Sequence, residues 1–176
     1  MDVARPLGSD CIKDSRGVAI ADFNGDGKLD MVINNNNATP TIYLNNLKNV
    51  GKCIEVRLVG TESNHDAIGA RVRLSIDGKT LTRQVEAGSG YASEAMLPLH
   101  FGLGNVAKIN SVEITWPSGL VQRFDGSQFD GYIDRMVQVV EGNNHVAEVT
   151  ALHAPPRVVA SLGRTKSNSF GMTSLQ

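Results

Sequence analysis

The sequence predicts an all-β protein in which a short hairpin is joined to a β-sandwich or a small barrel. Apolar and polar side chains alternate in several short segments, among them residues 54–58, 72–76 and 112–116. A period of two is typical of strands with one buried face. Eighteen glycines in 176 residues indicate a chain rich in turns. No segment of useful length has the apolar spacing of a helix, which also favours β structure.

The first predicted element is a hairpin with an unusual connection at residues 22–30. Side chains that carry oxygen fall at positions one, three, five and nine of this loop, and glycines fall at positions four and six. The flanking runs, residues 18–21 and 31–33, are apolar and partly β-branched, which is typical of strands. Because glycine lets the backbone turn sharply, the odd-numbered side chains of the loop can point inward together.

These residue types predict a site for a hard cation, with calcium as the best match. Calcium takes about six to eight oxygen ligands, and the loop offers oxygens from Asp22, Asn24, Asp26 and Asp30. In this scheme Lys28 contributes its backbone carbonyl while its ammonium group points to solvent. The loop has no sulfur or imidazole, which argues against zinc or copper. The alternative is a turn rich in Asn, Asp and Gly that binds no ion.

The loop differs from an EF-hand, which has a bidentate Glu at position twelve and a helix on either side. Position twelve here is Ile33, and the flanks read as strands. Residues 17–33 instead resemble an FG-GAP/VCBS repeat, the calcium-loop blade of integrin-type β-propellers, and the similarity extends over residues 15–46. The resemblance implies a calcium-loop hairpin, or partial propeller blade, with five calcium ligands: Asp22, Asn24, Asp26, the Lys28 carbonyl and Asp30. The commonest family pattern has Asp at the position of Asn24, so this loop carries one negative charge fewer.

A second β unit is predicted over residues 52–142, after a linker at residues 45–51. Turn signals separate its strands, among them Asp77-Gly78, which is typical of a two-residue hairpin. A further turn is expected at Pro117-Ser118-Gly119, and a last strand within residues 133–140. Several short strands separated by turns indicate a sandwich or a small barrel.

Five blocks of this unit resemble the ASPIC/UnbV domain and follow the order of that family: residues 53–60, 64–72, 86–91, 99–104 and 112–119. This domain commonly follows FG-GAP repeats in secreted, cartilage-acidic-protein-like chains and their bacterial relatives. The resemblance carries over no catalytic chemistry. Because the usual architecture has many blades and this chain has one calcium loop, we expect a C-terminal piece or a truncated member.

The two ends of the chain give weaker signals. Residues 1–14 are predicted to be a flexible N-terminus, without the basic segment and apolar core of a signal peptide. Residues 143–176 are predicted to be a flexible tail, within which residues 146–152 offer one more edge strand. The two cysteines, Cys11 and Cys53, are compatible with a disulfide, but free thiols are favoured.

Composition argues against several classes of function. The chain has 17 basic and 18 acidic residues and a net charge of −1, which gives no electrostatic basis for binding nucleic acid or an anionic membrane. No apolar run reaches the roughly 18–20 residues of a membrane span. Five arginines on predicted polar strand faces form either a solvated face paired with glutamates or a face for a partner: Arg57, Arg71, Arg73, Arg83 and Arg123.

These observations favour a non-enzymatic, calcium-stabilised β module for extracellular interaction or adhesion, with the ion in a structural role. Weak calcium sites of extracellular modules favour the cell exterior or the periplasm, and exposed strand edges would allow a homodimer. The alternative is a glycan-binding or accessory domain of a secreted enzyme, with an aromatic platform near Tyr91 or Tyr132. An enzyme in its own right would need Ser89 close to His65 or His100, and the sequence gives no such cluster.

Overall fold

The computed structural model describes residues 10–48, 50–88, 90–91, 93, 98–106, 108–149 and 172–175, the last segment by its backbone alone. The helix α1 (Ser127–Asp130) is a single turn. Among the residues described, no helix is long and apolar enough to cross a membrane. The strands are β1 (Ser15–Ala21), β2 (Asp30–Asn35), β3 (Thr41–Asn45), β4 (Lys52–Val59), β5 (Arg71–Ile76), β6 (Lys79–Gln84), β7 (Leu99–Gly104), β8 (Ser111–Thr115), β9 (Val121–Asp125), β10 (Met136–Val140), β11 (Val146–Glu148) and β12 (Met172–Leu175). The predicted all-β class is confirmed.

The chain divides into two compact units. The first unit comprises Met1–Val50, Gly88–Met96 and His153–Gln176, and the second comprises Gly51–Ala87 and Leu97–Leu152. The boundary after Val50 falls inside the predicted linker. A loop embedded in the sequence of the second unit therefore belongs to the first.

The first unit contains one four-stranded antiparallel sheet in the order β1-β2-β3-β12. β1 and β2 form the predicted hairpin, in which Val18 lies opposite Ile33 and Ala21 lies opposite Asp30 at the base of the loop. An isolated two-stranded hairpin is marginally stable in water. The pairing of β2 with β3, and of β3 with β12, supplies the additional strands that such a hairpin needs.

The fourth strand of this sheet comes from the segment predicted to be a flexible tail. Met172 lies opposite Asn45 and Leu175 lies opposite Ile42. The structure thus differs from the prediction at β12, because a short strand on an open sheet edge is held by backbone pairing and needs no alternating side chains. β11 is the additional edge strand that the sequence allowed, and it pairs with β10. Residues 150–171 and 176 lie outside the described residues.

At the other end of the chain, residues 1–9 also lie outside the described residues. Lys13 donates from Nζ to the Thr39 carbonyl oxygen at 3.3 Å, and the Asn36 N–H donates to the Asp14 carbonyl oxygen at 2.8 Å. These bonds attach the last residues of the predicted flexible N-terminus to the turn between β2 and β3.

The second unit is a sandwich of two four-stranded sheets with the orders β11-β10-β4-β7 and β6-β5-β8-β9. Neighbouring strands are antiparallel except β4 and β10, which run parallel. Both sheets contribute to a single cluster of buried apolar side chains. The strands described here do not close into a barrel, so the sandwich is the correct one of the two predicted forms.

The core of the sandwich consists of the alternating side chains that predicted its strands. Val56 on β4 and Leu74 on β5 are fully buried, and Trp116 is 2% exposed. Burial of one such side chain stabilises a fold by roughly 1.5–3 kcal/mol. The alternation of residues 54–58 predicts Glu55 on the polar face of β4, whereas the structure buries it.

The predicted hairpin turn between β5 and β6 is confirmed. Asp77 and Gly78 have φ angles of 42° and 70°. Positive φ at both central positions is typical of a type I′ turn, whose twist matches that of the strands it joins.

Candidate metal centre

The loop between β1 and β2 is folded around the carboxylate of Asp22. Its Oδ1 accepts hydrogen bonds from the N–H groups of Gly25 at 2.7 Å and Asp26 at 3.1 Å. Its Oδ2 accepts a hydrogen bond from the Gly27 N–H at 2.7 Å. Gly25 and Gly27 have φ angles of 74° and 81°, a backbone conformation that glycine adopts without strain. These two glycines turn the loop so that its N–H groups surround the first aspartate.

Asp30 connects the same loop to β3. Its side chain lies at the start of β2 and the residue is 1% exposed. Oδ2 accepts a hydrogen bond from the Phe23 N–H at 3.1 Å, and Oδ1 accepts one from the Asn45 N–H at 2.8 Å. Burial raises the pKa of Asp30 above its ordinary value, and the hydrogen bonds from Asn45 and Phe23 oppose that rise. Asp30 therefore holds the loop against the end of a neighbouring strand.

Asp26 lies in the more exposed half of the loop and has a cation beside it. Lys28 Nζ is 2.9 Å from Asp26 Oδ2, and that oxygen also accepts a hydrogen bond from Asn24 Nδ2 at 3.1 Å. Asp26 Oδ1 accepts a hydrogen bond from the Lys28 N–H at 3.0 Å. In the structure the Lys28 ammonium group lies against Asp26, because the nearby carboxylate attracts it; its direction in a calcium-bound loop stays a prediction.

The donor set of the loop fits calcium in its chemistry, while its side chains are not gathered around one point. Three carboxylates, an amide oxygen and a carbonyl are hard oxygen donors, and the Lys28 ammonium already places a positive charge among them. Within the described part of the chain, no group of three His, Cys, Asp or Glu side chains is arranged to hold a metal ion. A carboxylate oxygen that accepts one N–H retains a lone pair, so the hydrogen bonds to Asp22 and Asp30 leave capacity for a cation.

The candidate nucleophile of the enzyme hypothesis, Ser89, lies outside the described residues. Its proposed partner His65 lies in an exposed turn with its Nδ1 3.2 Å from Asp66 Oδ1. The chain turns at these two residues and is not extended, which brings the neighbouring side chains together. His100 is half-buried on β7.

The two tyrosines predicted to form an aromatic platform differ in environment. Tyr91 is 78% exposed, whereas Tyr132 is half-buried and packs against the core of the sandwich. Of the two tyrosines, Tyr91 is thus the one that is exposed enough to contact a sugar.

The five arginines do not form one face. Arg73 and Arg123 lie on the polar outer side of the β6-β5-β8-β9 sheet, and both contact Glu113, at 3.3 Å and 2.9 Å. Arg83 lies opposite the buried Val72, and Arg57 lies on β4 in the other sheet. The solvated, glutamate-paired alternative is therefore correct for Arg73 and Arg123.

Both cysteines are free thiols, as favoured by the sequence. Cys53 is buried on β4. Cys11 is half-buried, with its Sγ 3.7 Å from Thr41 Oγ1. Hydrogen bonds from the Lys13 backbone and the Thr41 side chain lower the pKa of the Cys11 thiol.

One backbone group of β1 bonds to Ser93, a residue that the first unit receives from the segment between β6 and β7. The Val18 N–H donates to Ser93 Oγ at 3.0 Å, and Ser93 Oγ donates to the Tyr91 carbonyl oxygen at 2.9 Å. One backbone donor of this edge is thereby satisfied within the chain. That two copies of this chain form a dimer by pairing exposed strand edges remains a prediction.

Glu141 is a buried carboxylate that sequence reasoning missed. It follows β10 and is 4% exposed. Its Oε2 accepts hydrogen bonds from the N–H groups of Thr61 at 2.8 Å, Glu62 at 3.0 Å and Ser63 at 2.8 Å. Its Oε1 accepts hydrogen bonds from the hydroxyls of Ser63, at 2.8 Å, and Ser118. This carboxylate joins the loop after β4 to the turn after β8.

The hydrogen bonds to Glu141 also fix its charge. Burial alone would raise the pKa of Glu141, but the hydrogen bonds from Ser118, Ser63 and Thr61 outweigh it and lower the pKa to about 2. Its partners near residue 61 lie about 80 positions away in the sequence, so no local motif marks it. In the sequence, Glu141 followed by Gly142 is typical of an ordinary turn after a strand.

Comparison with known proteins identifies both parts of the chain. The family model for the FG-GAP repeat matches residues 16–51, and the model for ASPIC and UnbV matches residues 60–146. Cartilage acidic protein 1 of Xenopus tropicalis is 32% identical over 132 residues, which are 72% of this chain and 20% of that protein. Cartilage acidic protein 1 of Mus musculus and that of Homo sapiens are each 35% identical over 108 residues, which are 58% of this chain and 16% of those proteins. The chain thus spans about a fifth or less of the length of these relatives. It belongs to the proteins in which an FG-GAP repeat is followed by an ASPIC and UnbV domain.

Proposed function

We propose that this chain is a calcium-binding, non-enzymatic β module for extracellular interaction or adhesion, in which the ion has a structural role. The observation that carries the proposal is the β1–β2 loop, where Asp22, Asp26 and Asp30 lie within nine residues. The match of an FG-GAP repeat to residues 16–51 supports it.

The proposed ligands are the side chains of Asp22, Asn24, Asp26 and Asp30 and the carbonyl of Lys28. A bound calcium ion would supply a positive charge that offsets the repulsion among three carboxylates. Because Asp30 also accepts the Asn45 N–H at the end of β3, an ion held by Asp30 stabilises the junction of the loop with that strand. An ion that binds the folded loop alone stabilises the folded state by mass action.

Three further points support the location and the class of function. Calcium sites of extracellular modules have dissociation constants of about 0.1–1 mM and fill where calcium is plentiful, which favours the cell exterior or the periplasm. The similarity to cartilage acidic protein 1 of Xenopus tropicalis favours an exported protein. The name of that relative describes no enzyme, which supports a non-enzymatic module.

A calcium titration by calorimetry, with thermal melts in calcium and in chelator, tests this proposal. At 10 mM calcium, a site with a dissociation constant of about 0.1–1 mM stabilises the fold by about 1.4–2.7 kcal/mol. We expect a one-site isotherm and a melting temperature that is a few degrees higher in calcium.

The matched variants are Asp26→Asn and Asp66→Asn, since each removes one negative charge. Asp66 lies in the second unit and its side chain is 58% exposed. Asp26→Asn should abolish the calcium effect, and Asp66→Asn should keep it. A wild-type protein that shows no binding up to several millimolar calcium would exclude the ion and leave the loop as a plain turn.

The second candidate is a glycan-binding or accessory domain of a secreted enzyme. The 78% exposure of Tyr91 favours it, because exposed aromatic rings suit sugar contacts. A glycan array with wild type and Tyr91→Ala tests it: hits that disappear in the variant support this function, and an array without hits rejects it.

A further inference from the structure

The Lys28 ammonium group is unusually enclosed for a cation in a surface ion pair. Its side chain is 18% exposed and that of Asp26 is 32% exposed. By contrast, Arg16 and Lys52 are 50% and 51% exposed in their pairs with Asp14 and Asp134. The Lys28 side chain therefore lies against the loop and does not extend into water.

The position of this ammonium group conflicts with a second cation. Asp26 Oδ2 accepts Lys28 Nζ at 2.9 Å and Asn24 Nδ2 at 3.1 Å, and the Lys28 N–H occupies Oδ1 at 3.0 Å. A calcium ion that binds Asp26 would share this one carboxylate with the ammonium group, which has the same sign of charge. Repulsion between the two positive charges disfavours holding both at Asp26, and the flexible lysine stem allows the ammonium group to move into solvent.

We propose that Lys28 is a built-in competitor of calcium: its ammonium group neutralises Asp26 when the loop holds no ion and is displaced when calcium binds. This inference rests on the proposed calcium site. It assigns two opposed roles to one residue, because the Lys28 carbonyl serves as a ligand and the Lys28 ammonium group weakens the affinity. The apparent affinity of the loop falls with the fraction of molecules in which the pair is closed.

Calorimetric calcium titrations of wild type, Lys28→Met and Lys28→Arg test the competition. If the pair is closed in about half to nine-tenths of molecules, its removal tightens calcium binding by about two- to tenfold. We expect this gain in Lys28→Met, whereas Lys28→Arg keeps a cation at the site and stays closer to wild type. Lys79→Met is the matched control, since Lys79 is exposed on β6 and its loss changes the net charge by the same amount.

A second measurement follows the ammonium group itself. Limited lysine acetylation, read by mass spectrometry in calcium and in chelator, should label Lys28 faster in calcium, because displacement exposes the amine. Labelling of Lys79 should not change. Slower labelling of Lys28 in calcium would overturn the inference.

The outcomes separate this inference from the calcium site on which it rests. Equal affinities in wild type and Lys28→Met overturn the competition and leave the calcium site intact. Calcium binding by neither protein overturns both. Binding by Lys28→Met alone supports the competition and shows that the natural loop is closed to the ion.

Discussion

The carboxylates of the β1–β2 loop and the carboxylate of Glu141 are bound in similar ways and suit different purposes. Glu141 stands alone, is 4% exposed, and accepts hydrogen bonds from three backbone N–H groups and two hydroxyls. Asp22 and Asp26 lie in a half-exposed loop with a third aspartate and a lysine. A single carboxylate surrounded by donors acts as a structural link. Each of the three loop carboxylates accepts two or three hydrogen bonds, against five at Glu141. They therefore retain more oxygen capacity and a net negative charge, which a cation site requires.

The largest expected effect is a loss of stability when Glu141, the structural carboxylate of the second unit, is replaced. Glu141→Gln should destabilise the second unit by about 3 kcal/mol, since the partly buried donors of Thr61, Ser63 and Ser118 lose a charged acceptor. Urea unfolding followed by Trp116 fluorescence measures the change. Glu148→Gln is the control, because Glu148 forms an exposed pair with Arg135 and should cost less than about 1 kcal/mol. An equal loss in both variants would mean that Glu141 is no special link.

The contribution of Glu141 to stability should also depend on pH, because its carboxylate must be ionised to stabilise the fold. The pKa of Glu141 falls from 4.5 to about 2 on folding, so the ionised form stabilises the fold above pH 4.5. This stabilisation is lost as the pH falls from 4.5 towards 2 and amounts to about 3 kcal/mol. The stability difference between wild type and Glu141→Gln should therefore shrink across that range. A difference that stays constant from pH 5 to pH 2.5 would contradict the lowered pKa.

The two regions also differ in how well their sequence predicted them. The loop is local: its oxygen-bearing side chains, its glycines and the flanking strands lie within about twenty consecutive residues, so the hairpin was predicted correctly. The alternation around Val56 and Leu74 likewise predicted the core. Glu141 depends on partners about 80 positions away, and the parallel pairing of β4 with β10 joins equally distant segments. β12 is held by backbone pairing to β3, which side-chain patterns do not report. The direction of the Lys28 ammonium group depends on loop geometry that spacing alone does not fix.

The smallest expected effect separates a structural residue of the loop, Asp30, from a residue proposed to bind the ion, Asp26. In chelator, Asp30→Asn should destabilise the first unit by about 1–3 kcal/mol, because buried Asp30 accepts the N–H groups of Phe23 and Asn45. Asp26→Asn should cost less than about 1 kcal/mol in chelator, since its ion pair is half-exposed. Hydrogen exchange measures both, with the Asn45 amide expected to exchange faster in Asp30→Asn and unchanged in Asp26→Asn. If Asp26→Asn also releases the Asn45 amide without calcium, the loop folds as one unit, and Asp26 shares the structural role that Glu141 has in the sandwich.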